Sequence, residues 1–385
     1  MTQKKYFCYE IFKNISIWSF NENISYNPCS FYKGYYAHSK NIDLDAAWQN
    51  PERKKIIDLI NQDLPVPGCE SCYEQEQKGL SSRRLASFDI YENWHNDTQI
   101  DLSGPQGIDY SVGNLCNLKC VICGPHNSTQ WIPDYQKLQP NANSEQFKYK
   151  KNQQIEIESD SSLSNVLTIH FHGGGEPLMS AAHVNLLKRI KKIKGLSDIR
   201  VFYNTNGTVR VDEDVLALWS ECKLIELYFS IDDIGSRFEY QRTGASFQSV
   251  CENLQWYHAN MPHNHLFKIN CVWGYLNLFY LDQLVDWHKN NFGTTRFGDP
   301  IPLLFQQATG VTNIKHVSYQ LKNTLLNKFS QYPELYSLAE PLVVSDKSHD
   351  YFLDWIQKLD KIRDQDFKEI APEWAKLLHE HTLQR

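Results

Sequence analysis

Short runs rich in β-branched and aromatic residues alternate with helical patterns between about residues 105 and 310. The runs 108–112, 166–171, 199–203, 224–229, 267–273 and 301–307 predict strands. Residues 180–195 and 212–222 predict two of the intervening helices, and Gly195 can end the first. Strand, helix and strand repeated about six times implies a parallel sheet with right-handed crossovers. The predicted fold is α/β, a partial (β/α)6 TIM-like barrel.

The two ends of the chain lack this alternation. Residues 1–104 contain four cysteines and many aromatic residues, and we expect a small N-terminal module there. Residues 311–385 contain amphipathic stretches at 332–340 and 351–367, which predict a C-terminal helical extension packed on the barrel. The domain prediction is therefore 1–104, 105–310 and 311–385. The polar stretch 137–164 predicts an insertion or a mobile loop.

Charge and apolar patterning exclude several classes of protein. The net charge of −6 and the pI near 6.2 argue against broad nucleic-acid binding, which needs surplus Lys and Arg. The apolar runs are too short for a membrane span, and the N-terminus lacks the apolar core of a signal peptide. We expect a cytoplasmic protein without membrane contact. Its ten cysteines are then expected to bind metal rather than to form disulfides.

Three of these cysteines, Cys116, Cys120 and Cys123, follow the first predicted strand of the barrel within eight positions. Active sites of α/β barrels lie at this end of the strands. Three thiolates can hold three irons of a [4Fe–4S] cluster and leave the fourth iron open. A structural zinc site also uses closely spaced cysteines, but it needs a fourth ligand. The spacing alone leaves both open.

The CxxxCxxC spacing resembles the signature of the radical S-adenosylmethionine (SAM) superfamily. Further motifs similar to those of that family follow successive predicted strands: HGGGEP at 172–177, NTNG at 204–207 and SIDD at 230–233. YQRTG at 240–244 comes after SIDD, before the next strand. Each motif alone is an ordinary turn or helix cap. Their occurrence in order after successive strands is much more specific.

The resemblance implies a site for SAM beside a [4Fe–4S] cluster held by the three cysteines. Gly174, Gly175 and Glu176 would lie near the SAM amino group and Asn206 near the ribose. Ser230 and Asp232 would lie near the ribose or the methionine end, and Arg242 would pair with the carboxylate. The implied reaction is reductive cleavage of SAM to a 5′-deoxyadenosyl radical, which abstracts hydrogen from a substrate. A flavodoxin or ferredoxin would supply the electron.

A second set of cysteines lies in the N-terminal module: Cys8, Cys29, Cys69 and Cys72. Four thiolates could ligate an auxiliary [4Fe–4S] cluster. The pattern resembles the N-terminal part of radical SAM proteins with a twitch or SPASM-like module, although most such modules follow the barrel. A zinc site and a metal-free CxxC dithiol are the alternatives.

The remaining chemistry-bearing residues have no paired spacing. Cys222, Cys251 and Cys271 are interpreted as small buried residues, although Cys271 could donate hydrogen to a substrate radical if it faces the barrel interior. His170 and His172 share one face of the second barrel strand and either pack or contact substrate.

The family resemblance favours a peptide or small-protein substrate, such as a precursor peptide in ribosomal peptide maturation. Cross-linking, epimerisation and excision of a tyrosine-derived fragment are the expected outcomes, and a small accessory protein could bind the leader. The alternatives are a radical SAM enzyme acting on a small metabolite or nucleotide, and a non-catalytic Fe–S or zinc-binding protein.

Overall fold

The computed structural model describes residues 4–20, 23–39, 42–77, 82–94, 103–148, 160–296, 298–345 and 349–380. In this part of the chain one sheet contains nine strands in the order β3-β2-β1-β4-β5-β6-β7-β8-β9. They are β1 (Asn14–Phe20), β2 (Asn23–Asn27), β3 (Ala37–Ser39), β4 (Gly107–Ser111), β5 (Thr168–Phe171), β6 (Arg200–Thr205), β7 (Leu224–Ser230), β8 (His265–Trp273) and β9 (Leu303–Gln307). Strands β4 to β9 are all parallel. The predicted strands and the partial-barrel fold are confirmed.

Helices connect the barrel strands on one side of the sheet. The barrel helices are α6 (Ile132–Leu138), α7 (Asp160–Leu163), α8 (Ala181–Lys194), α9 (Glu213–Ser220), α10 (Gly235–Gln241), α11 (Phe247–Asn260) and α12 (Leu281–Phe292). Helix α8 begins after Ser180, whose hydroxyl accepts from the Ala182 N–H, and ends at Gly195 with φ 83°. The helices predicted at 180–195 and 212–222 are confirmed.

The two faces of the barrel strands differ in chemistry. The outer face packs apolar residues against the helices: the Tyr203 hydroxyl lies 3.1 Å from both His183 Nδ1 on α8 and Trp219 Nε1 on α9. The opposite face, here called the inner face, carries polar side chains from neighbouring strands, namely Asp109, His170, His172, Asn204, Glu226, Tyr228, Lys268 and Asn270. The strand period of two residues produces this separation of an apolar core from a polar interior.

The N-terminal segment extends the barrel sheet. Strand β1 pairs in parallel with β4, and β2 and β3 add in antiparallel fashion. Its helices are α1 (Tyr9–Lys13), α2 (Leu44–Trp48), α3 (Pro51–Asn61), α4 (Glu70–Gln77) and α5 (Arg83–Phe88), followed by a π-helical turn (Asp89–Trp94). Arg83 lies 3.1 Å from Glu10 and 3.2 Å from Asp109 on β4, which joins this segment to the barrel through buried charge. The division at residue 104 stays a prediction.

The C-terminal residues form helices that pack on the barrel, as the amphipathic pattern predicts. They are α13 (Tyr319–Lys328), α14 (Pro333–Ala339), α15 (Asp350–Arg363), α16 (Phe367–Ile370) and α17 (Pro372–Glu380), with a two-stranded ribbon of β10 (His316–Val317) and β11 (Val343–Val344). Trp374 on α17 stacks on Phe279 at 5.7 Å, and its indole N–H donates to the Tyr275 carbonyl at 2.6 Å.

Two further expectations concern flexibility and membranes. Of the predicted insertion 137–164, residues 149–159 lie outside the described residues. Within the described ranges, no helix combines the length and apolar character that crossing a membrane requires.

Candidate cofactor site

The loop after β4 carries Cys116, Cys120 and Cys123 at the carboxyl end of the barrel strands. Cys116 and Cys120 are buried, and Cys123 is partly buried. The Cys123 thiol hydrogen-bonds to Cys120 and lowers the pKa of Cys120, and the positive charge of Arg242 acts in the same direction. Burial raises the pKa of Cys116 to about 11, although the Leu118 N–H partly offsets it. The structure therefore brings the three predicted ligands together.

The groups around these sulfurs are hydrogen-bond donors. Leu118 N lies 3.4 Å and Asn206 Nδ2 3.7 Å from Cys116 Sγ, and Arg242 Nη1 lies 3.9 Å from Cys120 Sγ. Donors of this kind stabilise thiolates and tune iron–sulfur clusters. Across the described ranges, no three His, Cys, Asp or Glu side chains are already arranged to hold a single metal ion. Three thiols, two of which face hydrogen-bond donors, fit a cluster with one open iron better than a zinc tetrahedron, which needs a fourth ligand.

The glycine loop after β5 packs directly on the cysteine loop. Gly174 and Gly175 have φ of 83° and 70°, and a Cβ on Gly175 would lie 2.8 Å from the carbonyl oxygens of Gly113 and Leu115. Gly175 N donates to the Asn127 carbonyl at 2.8 Å, and Glu176 N donates to the Leu115 carbonyl at 2.7 Å. Only glycine permits both this backbone conformation and this close approach. The loop holds the backbone that precedes Cys116.

Glu176 links the glycine loop to the end of β6. Its buried carboxylate accepts from Thr205 Oγ1 at 2.9 Å, Asn206 N at 2.7 Å and Leu178 N at 3.2 Å. Burial raises the pKa of Glu176 to about 7, against these hydrogen bonds. Three of roughly four acceptor positions on the carboxylate are thus used within the protein. Its expected place near the SAM amino group stays a prediction.

Asn206, after β6, contacts the cysteine loop through its side chain. Its Nδ2 donates to Asn117 Oδ1 at 3.0 Å, and its Oδ1 accepts from Thr208 N at 2.9 Å. Asn117 in turn donates to Thr208 Oγ1 at 2.8 Å. Asn117 and Thr208 were not predicted from the sequence, although the position of Asn117 between two of the cysteines was an available signal.

Asp232 and Arg242 form a buried ion pair beside Cys120. Their side chains approach to 2.8 Å, and Asp232 Oδ1 also accepts from Val272 N at 2.8 Å. Burial raises the pKa of Asp232 while Arg242 opposes the rise. Ser230 ends β7 nearby and is partly buried. Arg242 already has a carboxylate partner in the protein, and its pairing with the SAM carboxylate stays a prediction.

The other three predicted residues lie on opposite faces of the sheet, Cys271 on one and the two histidines on the other. Cys271 is fully buried on the outer face of β8, where its thiol lies 3.5 Å from the Asp232 carbonyl and burial raises its pKa. The structure does not bring it to the barrel interior. His170 and His172 do share the inner face, with ring centroids 5.0 Å apart and Asp109 within 4.0 Å of both.

The N-terminal cysteines also lie near one another. Cys8 interacts electrostatically with Cys72, and both Cys29 and Cys69 interact with Cys8. Burial is the main cause that raises the pKa of all four thiols, that of Cys8 to about 12. Among the described residues no three of these thiols are arranged to hold one metal ion, and the four-residue ligand set stays a prediction.

The part of the chain that matches a known protein family lies in the barrel. Residues 110–286 match the family described as the Radical SAM superfamily. This part of the chain is thus similar to a radical SAM domain. The motifs that predicted the family lie within the matched residues.

Two curated relatives are named GTP 3′,8-cyclase. The chain is 22% identical to that of Lactiplantibacillus plantarum over 186 residues, 48% of each protein. It is 26% identical to that of Limosilactobacillus fermentum over 120 residues, 31% of this chain and 29% of the relative. The chain thus spans about half, or less, of the length of these relatives.

Solved structures with partial similarity include anSMEcpe with bound AdoMet, at 17% identity and a TM-score of 0.38 over 62% of this chain and 63% of that one. Another is Streptococcus suis SuiB bound to the precursor peptide SuiA, at 15% identity and a TM-score of 0.37 over 75% of this chain and 64% of that one.

Proposed function

We propose that the protein cleaves SAM reductively and uses the resulting radical to abstract hydrogen from a peptide substrate. The observation that carries the first part is the convergence of three thiols at the carboxyl end of the barrel, of which Cys116 and Cys120 face hydrogen-bond donors. A [4Fe–4S] cluster held by Cys116, Cys120 and Cys123 would supply the electron for SAM cleavage. The chain itself binds, orients and shields the reactants.

Arg242 is suited to orienting the amino-acid end of SAM. Its Nη2 pairs with Asp232 and its Nη1 faces Cys120, but its buried Nε has no hydrogen-bond partner in the described part of the chain. A buried guanidinium N–H without a partner costs free energy until an acceptor reaches it. A carboxylate is the acceptor that Arg binds most strongly. Gly174 and Gly175 carry no side chains and are only partly buried.

The charge balance of the inner face favours a neutral substrate group over a polyphosphate. Arg83 is paired with Glu10 and Asp109, and Lys268 lies 2.8 Å from Glu226. A nucleoside triphosphate needs a surplus of Lys or Arg to replace its counterions.

A third inner-face cation, Arg200, also has acidic neighbours, since both Glu226 and Asp89 interact with it electrostatically. These described cations are therefore balanced by protein carboxylates. This balance supports a side chain of a peptide as the reacting group. The nucleotide alternative rests on the relatives named GTP 3′,8-cyclase, which match about half of the chain or less.

The open sheet gives an extended substrate a route of approach. Strand β9 pairs with β8 alone among the described strands, and Leu304 on it is exposed. An unpaired strand edge can bind an extended peptide by strand addition. The accessory protein and the flavodoxin or ferredoxin reductant stay predictions.

The test of SAM cleavage uses anaerobically reconstituted protein, a chemical reductant and chromatographic detection of 5′-deoxyadenosine. The variant with Cys116, Cys120 and Cys123 all changed to Ala should form none. Cys251→Ala, which alters a partly buried thiol on α11, is the matched control and should retain activity. Product formation by the triple variant would refute the cluster assignment.

The substrate is tested by co-expression of the chain with candidate precursor peptides, followed by mass spectrometry, and in parallel by incubation with GTP. A mass change in a peptide that depends on the three cysteines supports the proposal. A modified nucleotide with no peptide modification would establish the alternative.

We further propose that Cys8, Cys29, Cys69 and Cys72 hold an auxiliary [4Fe–4S] cluster. Their mutual interactions support a shared ligand set, and four thiolates leave no open iron for SAM. Two clusters require about eight irons per chain, and Cys69→Ala/Cys72→Ala should retain about half while still cleaving SAM. About one zinc and one cluster's worth of iron would instead establish a zinc site.

A further inference from the structure

The last residue of α15 reaches the back of the cysteine loop, more than 200 positions away in sequence. The Arg363 side chain is fully buried, its Nε lies 2.8 Å from Asp134 Oδ2, and its Nη1 donates to Thr243 Oγ1 at 3.1 Å. Its guanidinium carbon lies 4.5 Å from the ring centroid of Trp131. Burying this guanidinium removes its charge from water and costs free energy, which its interactions with these neighbours must offset.

Two of these partners connect Arg363 to the backbone around Cys120. The Trp131 indole N–H donates to the Cys120 carbonyl at 2.7 Å. The Thr243 carbonyl accepts from Lys119 N at 3.0 Å, and the neighbouring Gln241 carbonyl accepts from Val121 N at 2.7 Å. Both residues that flank Cys120 are thus fixed to the segment that Arg363 binds. The same segment carries Arg242.

Arg363 also contributes charge at this point. Cys120 and Arg363 interact electrostatically, in addition to the closer approach of Arg242 to the Cys120 thiol. The single negative charge of Asp134 does not neutralise Arg363 completely, because Asp134 also pairs with Lys119 at 3.1 Å. The Nη2 of Arg363 is buried and lacks a hydrogen-bond partner within the described residues. Removing the positive charge of Arg363 would therefore change the electrostatic environment of Cys120, to which Lys119, Asp134 and Asp360 also contribute charge.

We infer that Arg363 is a positioning residue for the cluster site: it fixes Cys120 through Trp131 and Thr243, and its charge raises the reduction potential of the cluster bound there. This inference rests on the proposed cluster at Cys116, Cys120 and Cys123. A nearby positive charge stabilises the reduced, more negative cluster, and hydrogen bonding and local charge set such potentials. The C-terminal helix would then be part of the electron-accepting site.

The experiment compares wild-type protein with Arg363→Gln, Arg363→Lys and Tyr240→Phe, all reconstituted anaerobically as full chains. Tyr240→Phe is the matched control, because the Tyr240 hydroxyl donates to Asp360 on α15 at 2.7 Å. It weakens the attachment of the helix without changing the charge near Cys120. The readouts are the midpoint potential of the electron paramagnetic resonance signal that responds to SAM, and the rate of iron loss to a chelator.

Arg363→Gln should give a more negative midpoint potential than wild type and than Tyr240→Phe. Arg363→Lys should keep a potential near that of wild type but lose iron several-fold faster, because lysine lacks the fork that binds Asp134 and Thr243 together. Asp134 keeps Lys119 as a partner in both variants, which favours folding.

Equal potentials in Arg363→Gln and Tyr240→Phe would overturn the electrostatic role, and unchanged iron loss in Arg363→Lys would overturn the positioning role. If Arg363→Gln is insoluble, Arg363→Met takes its place in the comparison of potentials, and the iron-loss comparison of Arg363→Lys with wild type still tests the positioning role. A wild-type protein with iron but no SAM-responsive signal would instead refute the proposed function itself.

Discussion

Replacing Gly175 with alanine should disturb the cysteine loop without touching a thiol. A Cβ at this position would lie 2.8 Å from two backbone oxygens, of Gly113 and Leu115, and 3.2 Å from Leu115 N. These are backbone atoms and cannot rotate away. The left-handed backbone adds strain of roughly 1–2 kcal/mol for any residue with a side chain.

Gly310→Ala is the matched control for this strain. Gly310 has φ of 64°, close to the 70° of Gly175, and no described atom lies within 4 Å of the position that its Cβ would take. The difference between the two variants therefore isolates the cost of the contacts, about 1–3 kcal/mol for overpacking. Since about 1.4 kcal/mol is a factor of ten, the population of the undisturbed loop should fall about 5- to 150-fold.

The assay is the fraction of each variant that forms a SAM-responsive cluster signal after reconstitution, with thermal unfolding as a check on folding. Gly310→Ala should resemble wild type, whereas Gly175→Ala should lose most of the signal while the rest of the chain stays folded. If both variants formed equal amounts of the SAM-responsive cluster, the close packing of the glycine loop would not be what positions Cys116, and the reasoning would be refuted.

Three further predictions test other parts of the site and fold. Arg242→Gln should weaken SAM binding measured by calorimetry about 10- to 150-fold with the cluster intact, because a charge-assisted hydrogen bond contributes about 1.5–3 kcal/mol; unchanged affinity would place the carboxylate elsewhere. Lys268→Met should lower the melting temperature because it leaves Glu226 buried without its partner at 2.8 Å, and Glu226→Gln in the same chain should restore much of the loss. Burial lowers the pKa of His183 to about 4. As the pH falls, the unfolded chain therefore takes up this proton at a higher pH than the folded chain does. The free energy of unfolding should fall by about 3 kcal/mol between pH 6.5 and 4 for this reason. His183→Gln should flatten that part of the pH profile of denaturant unfolding, and an identical acid slope in both proteins would contradict this origin.

The barrel could be predicted because its signals are local. Each strand run is a few residues long, and all motifs but YQRTG directly follow a strand, so no long-range contact had to be guessed. The shared face of His170 and His172 follows from the strand period in the same way. The joining of β1 to β4 was not predictable, because the pairing of Ser16 with Asp109 depends on chain segments that carry no common period.

The face of a strand is harder to predict than its existence. Residues 267–273 carry apolar side chains on both faces, since Val272 and Cys271 are neighbours, so the alternation does not say which face is inner. The structure places Lys268 and Asn270 inside because Lys268 reaches Glu226 and Tyr228 on β7. No sequence pattern indicated a role for Arg363, because its partners Asp134 and Thr243 become its neighbours only through tertiary packing.

The hydrogen bonds of the site determine which functions can be separated by substitution. Glu176 joins the loops that carry Leu115 and Asn206, and Asn206 reaches Cys116, so a change at Glu176 is transmitted to the cluster ligands. Arg242 Nη1 lies 3.9 Å from Cys120 Sγ. The backbone hydrogen bonds that residues 241 and 243 make to the cysteine loop do not involve the Arg242 side chain. Loss of SAM binding without loss of iron should therefore be obtainable at Arg242 and not at Glu176. Glu176→Gln should lower iron content and SAM affinity together, and a loaded cluster with weak SAM binding in that variant would show that the carboxylate contacts SAM directly.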